Sequence, residues 1–88
     1  MNAIEMLDRQ YSKEPDENWE EVRKYIVSHP SIMDGIPVFI GTRIPVYIVL
    51  DYLAEGYTVQ EILRDYPGLN REKIRAALKF ANLLASIH

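Results

Sequence analysis

Cysteine is absent from the 88 residues, which excludes disulfide scaffolds, cysteine-ligated zinc, iron–sulfur clusters and thiol catalysis, and is compatible with a reducing cytoplasm. Glycine is scarce and scattered. Gly35, Gly41, Gly56 and Gly68 stand well apart, so there is no glycine-rich phosphate loop. No apolar run is longer than a handful of residues, and Met1, Asn2, Ala3, Ile4 and Glu5 do not form a basic stretch followed by an apolar one. Neither a membrane span nor a secretory signal is therefore expected, and the chain reads as a mature cytosolic protein. Positive charge is also in short supply: ten Lys and Arg against thirteen Asp and Glu give a formal net charge of −3, which opposes a simple nucleic-acid binder. The 48% hydrophobic and 26% charged residues that are present fit one small globular domain with a thin core and no room for a deep cleft.

The net charge hides a split. Residues 1–21 carry seven acidic residues against Arg9 and Lys13, whereas the rest carries eight basic against six acidic. Ile4, Met6, Leu7 and Tyr11 form a short apolar set, followed by Ser12, Lys13, Glu14, Pro15 and Asp16, where the proline breaks any helix begun earlier. Residues 1–24 read as an acidic N-terminal arm, and residues 25–88 as the folded domain. Trp19, Val22 and Ile26 recur at helical spacing, but Tyr25-Ile26-Val27 is β-prone, so this stretch reads as helix passing into strand. Asp34-Gly35, the run Pro37-Val38-Phe39-Ile40, and Gly41-Thr42 indicate a small β-ribbon between Tyr25 and Ile44.

From Pro45 the period becomes helical. A first helix is expected from Pro45 to Glu55, with Gly56 as its left-handed stop. Thr58 and Glu61 form a capping-box pattern at the start of a second helix ending near Tyr66. After the Pro67-Gly68-Leu69 connector, Asn70 caps a third helix with an apolar face of Ile74, Ala77, Leu78, Ala81 and Leu84. The fold class is therefore mainly α: a trihelical helix-turn-helix bundle preceded by a β-ribbon and an arm.

Two helices joined by a short glycine-containing turn can place the second in a DNA major groove. On the third helix, Arg71, Arg75 and Lys79 recur every four residues, with Asn70 before them and Asn82 after. Arginine suits guanine readout and asparagine suits adenine readout. Arg43, between ribbon and first helix, is within the same reading as a phosphate contact; the bland alternative pairs it with a carboxylate such as Asp51. A basic helix face also serves proteins that never touch DNA. Catalysis is not expected: Ser28 and His29 adjoin in sequence, which seldom aligns a nucleophile with its base. His29, Asp34 and His88 lack metal-ligand spacing, so no metal or cofactor is expected.

The blocks Gly41-Thr42-Arg43-Ile44-Pro45-Val46, Leu53-Ala54-Glu55-Gly56, Tyr66-Pro67-Gly68-Leu69 and Ile74-Arg75-Ala76-Ala77-Leu78 stand in the order and at the spacing of the domain of unknown function 433 family, which the chain resembles from about Tyr25 to Leu84. The family often has glycine where this chain has Asp34 and a basic residue where it has Ile36. The resemblance implies a homeodomain-like trihelical fold and an antitoxin role beside a nuclease-like toxin, with DNA binding at the protein's own promoter. A homodimer is expected on a palindromic site, with Val38, Phe39 and Ile40 as the strand edge that pairs two copies. The arm lies outside the resemblance. Ile4, Leu7, Tyr11 and Trp19, set among carboxylates, suit a segment that folds on a basic protein partner such as a nuclease, or one that packs on its own subunit with Trp19 as a core anchor. The other reading of the whole chain is a protein-binding scaffold with no DNA contact.

Overall fold

Trp19 and Val22 lie on the helix that their spacing predicts, and Ile26, third in that spacing, already belongs to the strand that follows. In the computed structural model, which describes residues 17–86, helix α1 (Glu17–Tyr25) runs directly into strand β1 (Ile26–Val27). β1 pairs antiparallel with β2 (Val38–Phe39), with Ile26 opposite Phe39 and Val27 opposite Val38. Three helices follow: α2 (Val46–Ala54), α3 (Val59–Asp65) and α4 (Arg71–Ala85). The protein is mainly helical, with four helices and one two-stranded antiparallel sheet among the described residues. None of these helices is long and apolar enough to cross a membrane.

The local signals hold where they are local. Thr58 Oγ1 accepts the Glu61 N–H at 3.1 Å while Glu61 accepts the Thr58 N–H at 3.0 Å, completing the capping box. These bonds from Thr58 favour the charged carboxylate and hold the Glu61 carboxyl below its ordinary value. Asn70 Oδ1 accepts the Lys73 N–H and caps α4. Gly56 takes φ +90° just beyond α2, the left-handed conformation that a side chain disfavours. Between the strands, Met33 and Asp34 are also left-handed, at φ 47° and 59°, in a short 3-10 turn (Met33–Gly35) tied down by the buried Ser28, whose Oγ donates to the Gly35 carbonyl. Asp34 thus occupies a left-handed conformation that glycine adopts without strain.

The core joins the ribbon to all four helices. Trp19, Val22, Ile26, Phe39, Val49, Ile62, Ile74 and Phe80 belong to one buried cluster. α1 packs along α4, where Trp19 meets Phe80 edge to face, with ring centroids 6.5 Å apart; α2 and α3 pack on α4 as well.

This arrangement corrects four expectations. Residues 17–24 do not belong to an arm: α1 is part of the domain, because Trp19 and Val22 supply apolar surface that the small core uses. Trp19, at 3% exposure, is consequently not available to a partner, whereas Ile4, Leu7 and Tyr11 lie outside the described residues. Val38 and Phe39 offer no edge to a second copy. β2 pairs with β1 on one side, and on the other the Phe39 N–H donates to the Ile44 carbonyl, Val38 bridges Pro45 and the Val46 N–H donates to the Pro37 carbonyl. Finally, Leu78 and Leu84 are not on the buried face of α4. They are 47% and 37% exposed, and α4 instead buries Ile74, Ala76, Ala77 and Phe80, since α1 draws the Phe80 side of the helix inward.

If α1 is integral, Trp19→Ala leaves a cavity between α1 and α4 and costs about 3 to 5 kcal/mol. For a domain of this size that lowers the thermal midpoint by more than about 12 °C. Circular dichroism melting checks this, and a midpoint within a few degrees of wild type contradicts it.

Candidate nucleic-acid interface

α4 is the longest helix described, and the residues it leaves in solvent include a stripe along its length, with Glu72 and Leu84 also exposed. Arg71, Arg75, Leu78, Asn82 and Ala85 follow one another at intervals of three or four residues and are all exposed. A five-residue connection, Tyr66 to Asn70, links α3 to α4. Lys73 Nζ donates to the Gly68 carbonyl at 3.0 Å, which ties the first turn of α4 to that connection.

The loop carrying Arg43 abuts the same connection. A Cβ on Gly68 would lie 3.7 Å from the Ile44 side chain and 3.9 Å from that of Thr42. Thr42 fixes this loop: its N–H and its Oγ1 both donate to the Phe39 carbonyl, and Oγ1 accepts the Ile44 N–H at 3.0 Å. Gly41, at φ +81°, holds the third position of the resulting turn. Arg43 is thereby held on an exposed, well-anchored loop beside the start of α4, and among the described residues it makes no ion pair with Asp51 or any other carboxylate.

The six residues expected to contact DNA therefore divide. Arg71, Arg75 and Asn82 share the exposed stripe of α4, and Arg43 stands on the neighbouring loop. Asn70 is exposed but uses its side-chain oxygen as the helix cap. Lys79 leaves the stripe: its side chain is 25% exposed and its ammonium is hydrogen-bonded to Oε2 of Glu21 in α1. The other carboxylate oxygen, Oε1, lies 3.3 Å from Nε of Arg75, whose side chain is 68% exposed. The hydrogen bond from Lys79, with the charges of Lys79, Arg75 and Lys24 around it, outweighs partial burial and holds the Glu21 carboxyl below its ordinary value of 4.5.

Sequence reasoning missed two members of this surface. Glu21 lies 58 residues from Lys79 in the chain, and no local pattern marks that contact. Leu78 falls on the core face by a helical period that fits two adjacent faces of α4 equally well, yet it is exposed.

The tyrosines form a structural cluster. Tyr52 lies 4.9 Å from Tyr57 and 5.7 Å from Tyr66 between ring centroids, and its hydroxyl donates to Asp65 at 3.3 Å. The neighbouring Tyr66 hydroxyl, partial burial and the Asp65 charge push the Tyr52 hydroxyl up to about 12. Tyr57 and Tyr66 thus both pack against Tyr52, one tilted and the other edge to face. The Ser28–His29 pair is likewise not a dyad, since Ser28 is buried on the Gly35 carbonyl and His29 Nδ1 accepts the Ser31 N–H at 3.1 Å. No group of three His, Asp or Glu among the described residues is placed to hold a metal ion.

Comparison with known proteins adds the following. The family model described as "Protein of unknown function (DUF433)" matches residues 26–81, from β1 into α4, and leaves out α1. The chain is 44% identical over 59 residues to "Uncharacterized protein y4eO" of Sinorhizobium fredii. That stretch takes in 67% of this chain and 27% of the relative, so the chain spans about a quarter of the length of the curated relative it matches. The fold is similar to the crystal structure of a DUF433 member protein from Anabaena variabilis ATCC 29413, with a TM-score of 0.63 and 27% identity, covering 94% of this chain and 89% of that one.

The Glu21 cluster has a pH signature. A folded carboxyl held below 4.5 contributes its full stabilisation above that pH, and the contribution is lost as pH falls from 4.5 through the lower folded value. The wild-type thermal midpoint is therefore expected to fall more between neutral pH and acid than that of Glu21→Gln, which has nothing to titrate. Melting both proteins across this range tests it, and parallel curves contradict it.

Proposed function

We propose, on the premise that this chain belongs to the DUF433 family of proteins of unknown function, that it is a small antitoxin-like regulator that binds DNA through α4. In this reading α2, α3 and α4 form a homeodomain-like helix-turn-helix, with α4 entering the major groove and the protein acting as a dimer on its own promoter. The observation that carries the reading is the exposed stripe of Arg71, Arg75, Leu78 and Asn82 on the helix that follows the short connection. Its chemistry is that of base edges: the guanidinium fork matches guanine, the carboxamide matches adenine, and Leu78 suits the thymine methyl group. Arg43 adds a phosphate contact from the flanking loop.

The acidic balance of the chain argues for two copies. A single net-negative module has little hold on a polyanion, whereas a two-fold pair reads two half-sites about one helical turn apart. The toxin-neutralising part of the proposal is supported by the family resemblance, and by Ile4, Leu7 and Tyr11 set among carboxylates, which suit a basic surface such as that of a nuclease.

The second reading is a protein-binding module with no DNA contact. Its support is that the stretch matched in the relative from Sinorhizobium fredii makes up only 27% of that protein, so the module also occurs within a longer chain. Fluorescence anisotropy with a labelled duplex from the protein's own promoter separates the two. DNA binding predicts an affinity that falls steeply with added salt, two copies per palindromic duplex by light scattering, and a loss on the order of 1 to 3 kcal/mol for Arg71→Ala with the melting temperature unchanged. Equal affinity of wild type and the Arg71→Ala/Arg75→Ala/Asn82→Ala protein removes DNA from the account and leaves the scaffold.

A further inference from the structure

An arginine side chain has two hydrogen-bonding edges, one along Nε and one formed by the outward pair of Nη groups. The outward pair matches O6 and N7 of guanine in the major groove. The guanidinium nitrogen of Arg75 that pairs with Glu21 is Nε, 3.3 Å from Oε1, and with the side chain 68% exposed the rest of the guanidinium stays accessible to a ligand. A long, flexible side chain held this way approaches a base already oriented, so less freedom remains to be lost on binding. The second oxygen of Glu21 is taken by Lys79. That ammonium offsets the carboxylate charge, which would otherwise stand beside Arg75 and repel phosphates.

From this geometry we propose that Glu21 is a positioning residue that aims Arg75 at a guanine in duplex DNA. The proposal rests on the DNA-binding reading above and adds to it the base and the residue that orients the contact. Glu21 sits on α1, outside the stretch matched by the family model, so the device comes from a part of this chain beyond that match.

Selection from a library of randomised duplexes by the full-length wild type, Glu21→Ala and Arg75→Lys tests it, with binding to the unselected library measured alongside. Wild type is expected to enrich guanine at one fixed position by on the order of tenfold or more. Arg75→Lys keeps the charge but not the fork, and is expected to lose that position while retaining salt-dependent binding to the library. Glu21→Ala is expected to lose the same position with library binding equal to or tighter than wild type, because a negative charge has gone. A merely structural role for Glu21 would weaken all duplexes together. Glu21→Ala enriching the same guanine as strongly as wild type overturns the proposal and leaves DNA binding intact. Salt-dependent binding by wild type with no enriched guanine does the same, whereas no duplex binding at all overturns both. Should Glu21→Ala not fold, the Arg75 Nε–H resonance of the wild type decides. More restricted motion of Nε in Arg75 than in Arg71 by 15N relaxation is expected, and equal mobility overturns the proposal.

Discussion

The contact between α1 and α4 sets the rest of the arrangement. Two kinds of interaction meet along it, and they do different work. Trp19 and Val22 are almost fully buried and bring α1 onto the Phe80 side of α4, removing from water a large aromatic surface that a chain of 88 residues uses to complete its core. Glu21, one position before Val22, divides its two carboxylate oxygens between Lys79 and Arg75. Ion pairs as open to water as the Arg75 contact add little to stability. The apolar side of α1 therefore accounts for the packing, and the carboxylate holds the Lys79 ammonium at the α1–α4 contact with Arg75 alongside.

That division explains how a chain with net charge −3 presents a face suited to a polyanion. The acidic helix is laid against the edge of α4, where Glu21 is matched by Lys79, and Arg71, Arg75, Leu78 and Asn82 are left as the outward stripe. The ribbon and α3 serve the same end. The Thr42 hydrogen bonds fix the loop bearing Arg43 beside the connection into α4, and the capping box at Thr58 and the cap at Asn70 fix where the two helices flanking that connection begin. The surface is thus carried on elements whose starts and loop are fixed by hydrogen bonds within the fold.

Features whose causes are near in sequence were legible there. The helix starts at Thr58 and Asn70, the stop at Gly56, the ribbon and the passage of helix into strand at Tyr25 all depend on residues within a few positions of one another. The features that escaped depend on distant partners. Trp19 reads equally well as a partner anchor or a core anchor until Phe80, 61 positions on, is placed against it. The helical period of α4 admits a face through Leu78 and Leu84 or one through Ala76 and Phe80, and only the arrival of α1 selects the second. Lys79 falls on the stripe by spacing and leaves it because Glu21 is there. In the same way β2 looks like a free edge until the Ile44–Val46 segment folds back along it.

If DNA is the ligand, the outward stripe of α4 beside α1 is the surface that meets it. The most direct test is a titration of 15N-labelled protein with a duplex from its own promoter, followed residue by residue in amide NMR spectra. Shifts concentrated at Arg71, Arg75, Leu78, Asn82 and the Arg43 loop, with α1 amides outside Glu21 little changed, are the expected result. Shifts centred instead on the exposed apolar residues Ile36, Ile40 and Tyr47, or no saturable shifts at all, would contradict the account.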